Sequence, residues 1–278
     1  MSTISLGLLS WRAHETLVKT LSTYSQLREM VDEAVIYFND ITDSDREIAA
    51  KYGFRAAGSG ANLGILGGTL GLARELKGDY VLLVQNDNPV NVPAEVLKER
   101  LGNAVALLDS GEAAMVRLRD RFDPSFSDEC KYLKMYPGED GKDSIALKLR
   151  RILRPLKARR MAGRAPAALK RPDLRHPAIF TLARGTFITD SRFTNYSDQP
   201  FIAPRPLVME LLEYADANKE GTRTLNGRYV PEIVINGPDW RRRKLKVAIS
   251  EGIFAHARYD DSFRPGNAGY NPAISVQE

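Results

Sequence analysis

Residues 78–88 have the sequence GDYVLLVQNDN, and this stretch decides the fold. Its five consecutive apolar residues, 80–84, are typical of a β-strand that is buried on both faces. The strand runs directly into three polar residues, Gln85, Asn86 and Asp87. Ligands of open parallel sheets bind at the carboxyl ends of the strands. The stretch therefore predicts a buried strand and a binding edge together.

Two apolar runs precede this stretch, at residues 4–11 (ISLGLLSW) and 33–38 (EAVIYF). Helical spacing follows the first run, and a Gly-rich segment at residues 58–68 leads into another helix. Strands that alternate with helices over the first 90 residues predict a mostly parallel sheet with crossover helices on its faces. Later strands are expected at residues 113–118 and 246–249. The predicted fold class is therefore α/β.

The composition limits the possible classes of protein. The chain has 278 residues, of which 43% are hydrophobic and 27% are charged, and this balance excludes disorder as the main state. Its single cysteine, Cys130, can form no internal disulfide and no thiolate metal site. A single cysteine favours a reducing compartment, so we expect a cytoplasmic protein.

The formal net charge of +5 is unevenly distributed. Residues 146–175 contain eleven Lys or Arg and one acid, Asp173, so this segment carries +10 and the rest of the chain −5. A general nucleic-acid binder would spread its basic residues over a wider surface, and we expect no nucleic-acid partner. The distribution indicates a mildly acidic body that carries one basic element.

The basic element is predicted to be one amphipathic helix over residues 144–161. Apolar residues recur at helical spacing, while basic residues occupy mostly the other face. The apolar positions are Ile145, Leu149, Ile152, Leu153 and Leu156. Such a helix suits peripheral contact with anionic lipid at the cytoplasmic membrane face, or an anionic or lipid-linked acceptor. The alternative is an apolar stripe packed on the body beneath a solvated basic face.

Several of these motifs together resemble the inverting family-2 glycosyltransferases and their nucleotide-sugar-binding GT-A fold. Asp40 follows the second strand, Asn62-Leu63-Gly64 and Gly67-Gly68 enter a helix, and the strand at 80–84 ends in an acidic motif. The resemblance covers about residues 3–120. The family usually offers two carboxylates in the acidic motif, whereas this chain has Gln85 in the first position.

The resemblance implies a donor site and a divalent metal, Mn²⁺ or Mg²⁺. The implied donor residues are Ser10, Trp11, Arg12, Asp40, Asn62, Gly64, Asn86 and Asp87. The implied metal ligands are Asp87 and His256, the latter in the segment GIFAH near the C-terminus. Other interpretations are an Asx turn for Asp40, a helix cap for Asp87, and a pair with Asp260 or Asp261 for His256.

An inverting transfer also requires a carboxylate base for the acceptor hydroxyl. The resemblance places it at Glu232, with Asp239 as runner-up and Asp198 third, and each is otherwise a helix cap. Three aromatic residues offer a platform for a sugar ring or, equally, core packing. These residues are Trp240, Tyr196 and Phe201.

The sequence thus predicts a metal-dependent glycosyltransferase that moves a sugar from a nucleotide-diphosphate sugar to a glycan or lipid-linked glycan, with inversion. Residues 1–120 form the donor-binding half of one GT-A domain, 121–177 a basic helical insert, and 178–278 the acceptor-binding and C-terminal metal-ligand region. The alternative is a nucleotide- or sugar-binding protein with weakened catalysis, because Gln85 replaces a carboxylate.

Overall fold

A computed structural model describes residues 2–123, 128–225 and 227–259. Its strands are β1 (Ile4–Ser10), β2 (Glu33–Phe38), β3 (Arg55–Gly58), β4 (Tyr80–Gln85), β5 (Met115–Arg119), β6 (Thr181–Ala183), β7 (Thr186–Asp190), β8 (Phe201–Pro204) and β9 (Lys246–Phe254). Its helices are α1 (His14–Ser22), α2 (Ser25–Glu29), α3 (Asp43–Lys51), α4 (Gly64–Glu75), α5 (Ala94–Asp109), α6 (Asp128–Leu133), α7 (Ile145–Leu153), α8 (Pro155–Ala162), α9 (Pro172–Arg175), α10 (Arg205–Ala217), α11 (Pro231–Ile235) and α12 (Pro238–Arg243), with a 3₁₀ turn at Ala165–Ala167.

The strands form one mixed sheet in the order β3-β2-β1-β4-β8-β5-β9-β7-β6. The four strands of the N-terminal half pair in parallel, as the apolar runs of β1, β2 and β4 predict. Alternate side chains of β1 and β4 enter two cores, one packed against α1 and α5 and the other against α4 and α10. Helices therefore cover both faces of the sheet, and the α/β prediction is confirmed.

Strand β8 was not predicted, because its four residues show no period that separates them from a loop. It lies antiparallel between β4 and β5. The chain therefore enters β8 at the edge of the sheet where β4 ends, and this direction carries residues 195–200 to the carboxyl end of β4.

Strand β9 is five residues longer than predicted, and an irregularity in its pairing with β5 explains the difference. Gly252 has a φ of +92°, and a Cβ on it would lie 2.3 Å from the carbonyl carbon of Arg119 and the nitrogen of Asp120. Glycine lets the strand bulge here and continue. The bulge delivers residues 255–259 to the end of β4.

We expect Gly252→Ala to lower the free energy of unfolding by about 3 kcal/mol, because the methyl group meets backbone atoms and the φ is unfavourable. Gly185 is a matched control, since its φ is +69° and a Cβ on it would meet nothing within 4 Å. Gly185→Ala should cost about 1 kcal/mol. Urea unfolding of both variants measures the difference, and equal losses would contradict the bulge argument.

The prediction of one basic helix over residues 144–161 is wrong. The chain breaks at Arg154 (φ −136°, ψ 60°) into α7 and α8. Pro155 causes the break, since the residue before a proline is disfavoured in the α conformation. No helix in the described residues is long and apolar enough to cross a membrane.

His176 contacts a small aromatic cluster beside this region. Its Nε2 lies 3.1 Å from the hydroxyl of Tyr132, and its ring packs edge-on against Tyr136. Burial, followed by the charges of Arg175 and Arg151, lowers the pKa of His176 to about 4. The folded protein therefore binds this proton less readily than the unfolded chain, whose histidine titrates near 6.5.

We expect the stability that depends on neutral His176 to be complete above pH 6.5 and to be lost as the pH falls towards 4. The loss should reach about 1 kcal/mol, less than the full shift implies because the ring is partly exposed. The melting temperature of a His176→Gln variant should fall less than that of the wild type over this range. If the melting temperatures of the two proteins fall equally with pH, His176 is not the group whose protonation lowers the stability.

Candidate functional site

An ion pair lies just beyond the carboxyl ends of β1 and β2, at the edge of the sheet where the donor site is predicted. Arg12 Nη2 lies 3.0 Å from Asp40 Oδ2, and both side chains remain partly exposed. Both residues have positive φ values, 56° and 67°, which are uncommon for residues with a Cβ. The Arg12 guanidinium also lies over the ring of Trp11. The strand ends are thus shaped to present this pair to solvent.

Asn39, which no sequence motif singles out, holds the Gly-rich segment against this edge. Its amide donates to the carbonyl of Gly64 (3.1 Å) and accepts from the nitrogen of Leu63 (3.3 Å). Asn62 Oδ1 accepts a 2.8 Å hydrogen bond from the nitrogen of Gly64, the first residue of α4, so this side chain stabilises the start of the helix. Gly64 has a φ of +73°, which requires glycine here.

Asp87 lies just beyond β4 and is fully buried. Its Oδ2 accepts a 2.5 Å hydrogen bond from Arg258 Nη2 and lies 3.4 Å from His256 Nε2. The carbonyl of Asp87 accepts from the nitrogen of Ala257 at 2.8 Å, which ties the segment after β9 to this turn. Asn86 donates to the hydroxyl of Ser10 at 3.4 Å. The structure thus brings the predicted residues Ser10, Asn86, Asp87 and His256 together at one edge.

The Asp87 carboxylate is ionised despite its burial. Burial alone raises the pKa of Asp87, but the hydrogen bond and charge of His256 and the charge and hydrogen bond of Arg258 lower it to about 2. A buried carboxylate needs such partners, since an isolated charge is costly to remove from water. No sequence pattern gives Arg258 a role, because only the fold brings it to Asp87.

The side chains at this edge fit one divalent cation that takes one or two ligands from the protein and the others from a substrate and water. Asp87 Oδ1 is buried and accepts no hydrogen bond in the part of the chain that the structure describes. Within the same ranges, no group of three or more His, Cys, Asp or Glu residues is placed to hold a metal. Mg²⁺ and Mn²⁺ often take one or two protein ligands and complete their shells with phosphate and water. The alternative partners for His256, Asp260 and Asp261, lie outside the described residues.

Glu232 and Asp198 form a pair of carboxyl groups near this edge. Glu232, the second residue of α11, accepts from the Ser197 hydroxyl (2.8 Å) and the Asp198 nitrogen (3.1 Å). Burial, followed by the charge of Glu232 and a hydrogen bond to it, raises the pKa of Asp198 well above its usual range. The raised pKa favours the protonated form of Asp198 beside Glu232. The amide of Gln85 reaches the carbonyl of Asp198 at 3.4 Å, which connects this pair to the end of β4.

Asp239 lies elsewhere. It accepts from the hydroxyl of Tyr214 at 2.9 Å and pairs with Arg242, its neighbour on α12. The three aromatic side chains pack on one another in the core, as the alternative to a sugar platform predicts, and Tyr196 also lines a pocket beside Glu232. Their exposed fractions are 2% for Trp240, 2% for Tyr196 and 1% for Phe201. The Trp240 indole instead donates to the carbonyl of Thr194 at 2.8 Å.

A basic pocket of about 240 Å³ opens beside Glu232. Six of its lining residues are cationic, namely Arg117, Lys131, Arg160, Arg164, Arg192 and Arg241. Burial, together with the charge of Arg164, lowers the pKa of Arg117 to about 10, although Glu232 acts in the opposite direction. The arginine therefore remains charged at neutral pH. Two lining residues are acids, Asp128 and Glu232, and Asp128 pairs with Lys131 and Arg164, so that the six cations exceed the two acids by four.

Comparison with known proteins gives structural similarity without a sequence match. No protein-family model matches the chain, and no curated protein matches it. Solved structures that match include glucosyl-3-phosphoglycerate synthase from Mycobacterium tuberculosis with phosphoglyceric acid, at 15% identity and a TM-score of 0.47, covering 93% of this chain and 73% of that one. The same synthase with Mn²⁺, UDP-glucose and phosphoglyceric acid matches at 15% identity and 0.46, with the same coverage.

Mannosyl-3-phosphoglycerate synthase from Rubrobacter xylanophilus matches at 18% identity and a TM-score of 0.40, covering 74% of this chain and 54% of that one.

Proposed function

We propose that this protein is a metal-dependent glycosyltransferase that uses a nucleotide-diphosphate sugar. The observation that carries the proposal is the Asp87 carboxylate, which is buried and ionised at the carboxyl end of β4 with one oxygen unpaired among the described residues. Its setting beside His256 and Arg258 suits a cation and a diphosphate. Arg12 and Asp40 lie at the ends of the adjacent strands, where the base and ribose would bind.

The residues of the edge have separate tasks in this proposal. Asp87 and His256 would hold Mn²⁺ or Mg²⁺, which when bound stabilises the negative charge that develops on the leaving diphosphate. Arg258 keeps Asp87 ionised and offers a second positive group to phosphate oxygens. Asn39 fixes the entry to α4, so that the backbone at Gly64 can lie close to the nucleotide.

Glu232 would act as the base. It lines the basic pocket, and hydrogen bonds from the Ser197 hydroxyl and the Asp198 nitrogen hold its carboxylate in place. As the acceptor oxygen attacks the anomeric carbon, Glu232 takes the hydroxyl proton and the bond to the diphosphate breaks. This single displacement inverts the configuration at the anomeric carbon. A protonated Asp198 is unsuited to the nucleophile's role that a double displacement requires.

The basic pocket would receive the acceptor, because it adjoins Glu232 and is lined by six cations. Guanidinium groups bind phosphate and carboxylate through paired hydrogen bonds. The proposed acceptor is therefore a glycan or lipid-linked glycan that carries an anionic group close to the hydroxyl that reacts.

One observation favours a second candidate, a donor-binding protein with little catalysis. Gln85 stands where a carboxylate would support Asp87, and its amide is engaged with the Asp198 carbonyl. A panel of nucleotide sugars tested by thermal shift, with and without Mn²⁺, would identify the donor in either case. Slow release of free sugar from that donor marks the enzyme, and binding without release marks the second candidate. Failure of every nucleotide to raise the melting temperature would contradict both.

A further inference from the structure

The outer surface of α7 and α8 carries an apolar stripe, defined by five side chains that remain largely exposed. Their exposed fractions are 77% for Ile145, 53% for Leu149, 73% for Ile152, 78% for Leu153 and 78% for Leu156. No residue of α7 is buried. The alternative in which this stripe packs on the body is therefore wrong.

The polar side of α7 faces the protein instead. Arg151 forms two hydrogen bonds with Asp143, at 2.8 and 2.5 Å, and its guanidinium lies 5.1 Å from the ring centroid of Tyr136. Arg150 donates to the carbonyl of Lys134 at 2.7 Å. These contacts fix the rotation of the helix. The apolar stripe faces outward because the arginines are held by the body.

Basic side chains border the stripe. Lys148, Arg154 and Lys157 are exposed, and none forms an ion pair within the described part of the chain. A stripe of leucine and isoleucine beside lysine and arginine is the pattern of a helix that lies in the plane of a membrane interface. A protein partner with an apolar groove would not explain the cations, whereas anionic headgroups balance them.

We propose that α7 and α8 form a docking surface for a membrane that contains anionic phospholipids. The apolar stripe enters the boundary between headgroups and acyl chains, and the bordering cations contact the headgroups. Arg160 and Arg164, in and just beyond α8, line the basic pocket. Docking therefore brings this pocket to the lipid surface. The inference needs no glycosyltransferase activity, since it stands on exposure and charge alone.

The test is co-sedimentation of the full chain with vesicles of phosphatidylcholine, with and without about 30% phosphatidylglycerol. We expect binding to the anionic vesicles only, with loss at high salt. A Leu153→Ser/Leu156→Ser variant should bind at least about tenfold more weakly, because two exposed apolar side chains no longer enter the lipid. Lys148→Gln should weaken binding about fivefold.

Leu182→Ser is the matched control, since Leu182 is 46% exposed on β6, outside the stripe. It should bind vesicles as the wild type does, and all variants should keep the wild-type melting temperature. Equal binding of the stripe variant and the wild type would overturn the proposal. So would light scattering that shows a wild-type dimer and a monomeric stripe variant, because the stripe would then join two copies. Donor turnover on a soluble acceptor is measured separately, so failure of the two proposals can be told apart.

Discussion

Replacing Asp87 with asparagine is expected to abolish the rise in melting temperature that Mn²⁺ and a nucleoside diphosphate cause together, and to lower kcat/KM by about a thousandfold or more. Asparagine keeps the shape of the side chain but removes the charge that Arg258 and His256 face. A neutral amide is a poor ligand for a divalent cation that prefers carboxylate oxygen. Thermal shift measures binding, and donor turnover measures activity.

The same change should lower stability, because it leaves the largely buried guanidinium of Arg258 close to a neutral side chain. Loss of one partner of a buried ion pair costs about 3 kcal/mol. Asp109→Asn is the matched control, since this carboxylate accepts from the hydroxyl of Tyr80 at the opposite end of β4. It should retain the metal-dependent shift and the activity. Circular dichroism at low temperature confirms that both variants are folded before binding is compared.

A metal-dependent shift of normal size in Asp87→Asn would contradict the proposed metal site. If the nucleoside diphosphate also raises the melting temperature without metal, and Asp87→Asn removes that rise too, the carboxylate supports the whole nucleotide site. Persistence of that shift would locate the nucleotide contacts at Arg12 and Asp40.

Glu232→Gln is expected to lower kcat by about 10³ while leaving the donor-induced shift unchanged. The amide keeps the size of the side chain but cannot accept the proton of the acceptor hydroxyl, and removal of a positioned base usually costs between about 10² and 10⁴ in rate. Donor binding should persist because Asp87, His256 and Arg258 are intact. Single-turnover transfer from a bound donor measures the chemical step directly.

Asp239→Asn provides the comparison, since the two residues were alternative bases on sequence grounds. Asp239 pairs with Arg242 and Tyr214 away from the basic pocket, so its loss should change kcat less than about threefold. A large loss in Asp239→Asn with little loss in Glu232→Gln would reverse the assignment. Equal, small effects would support the second candidate, binding without efficient catalysis.

The N-terminal half of the fold was predictable because its signals are local. Each of β1, β2 and β4 is a continuous apolar run, and crossover helices leave few topologies to consider. Strand β8 could not be predicted, because its four residues are too few to show the alternation of apolar and polar residues that is typical of a strand. Its antiparallel position is a tertiary property that the packing of α10 and β4 decides.

The meeting of Ser10, Asn86 and Asp87 was predictable for the same reason, since polar residues that follow buried parallel strands lie at one edge of the sheet. The partners of Asp87 were only half predictable. His256 was found through the resemblance, whereas the ion pair with Arg258 depends on the bulge at Gly252. The raised pKa of Asp198 depends on burial, which no sequence pattern reports.

The segment after β9 has a consequence for the order in which the surroundings of Asp87 form during synthesis. Arg258 reaches Asp87 across 171 positions of the chain. Strands β1, β2 and β4 leave the ribosome long before it, and N-terminal regions begin to fold first. Until residues 256–258 emerge, Asp87 lacks the partners that lower its pKa. A nascent chain would therefore hold a nearly complete sheet while Asp87 still lacks its contacts with His256 and Arg258.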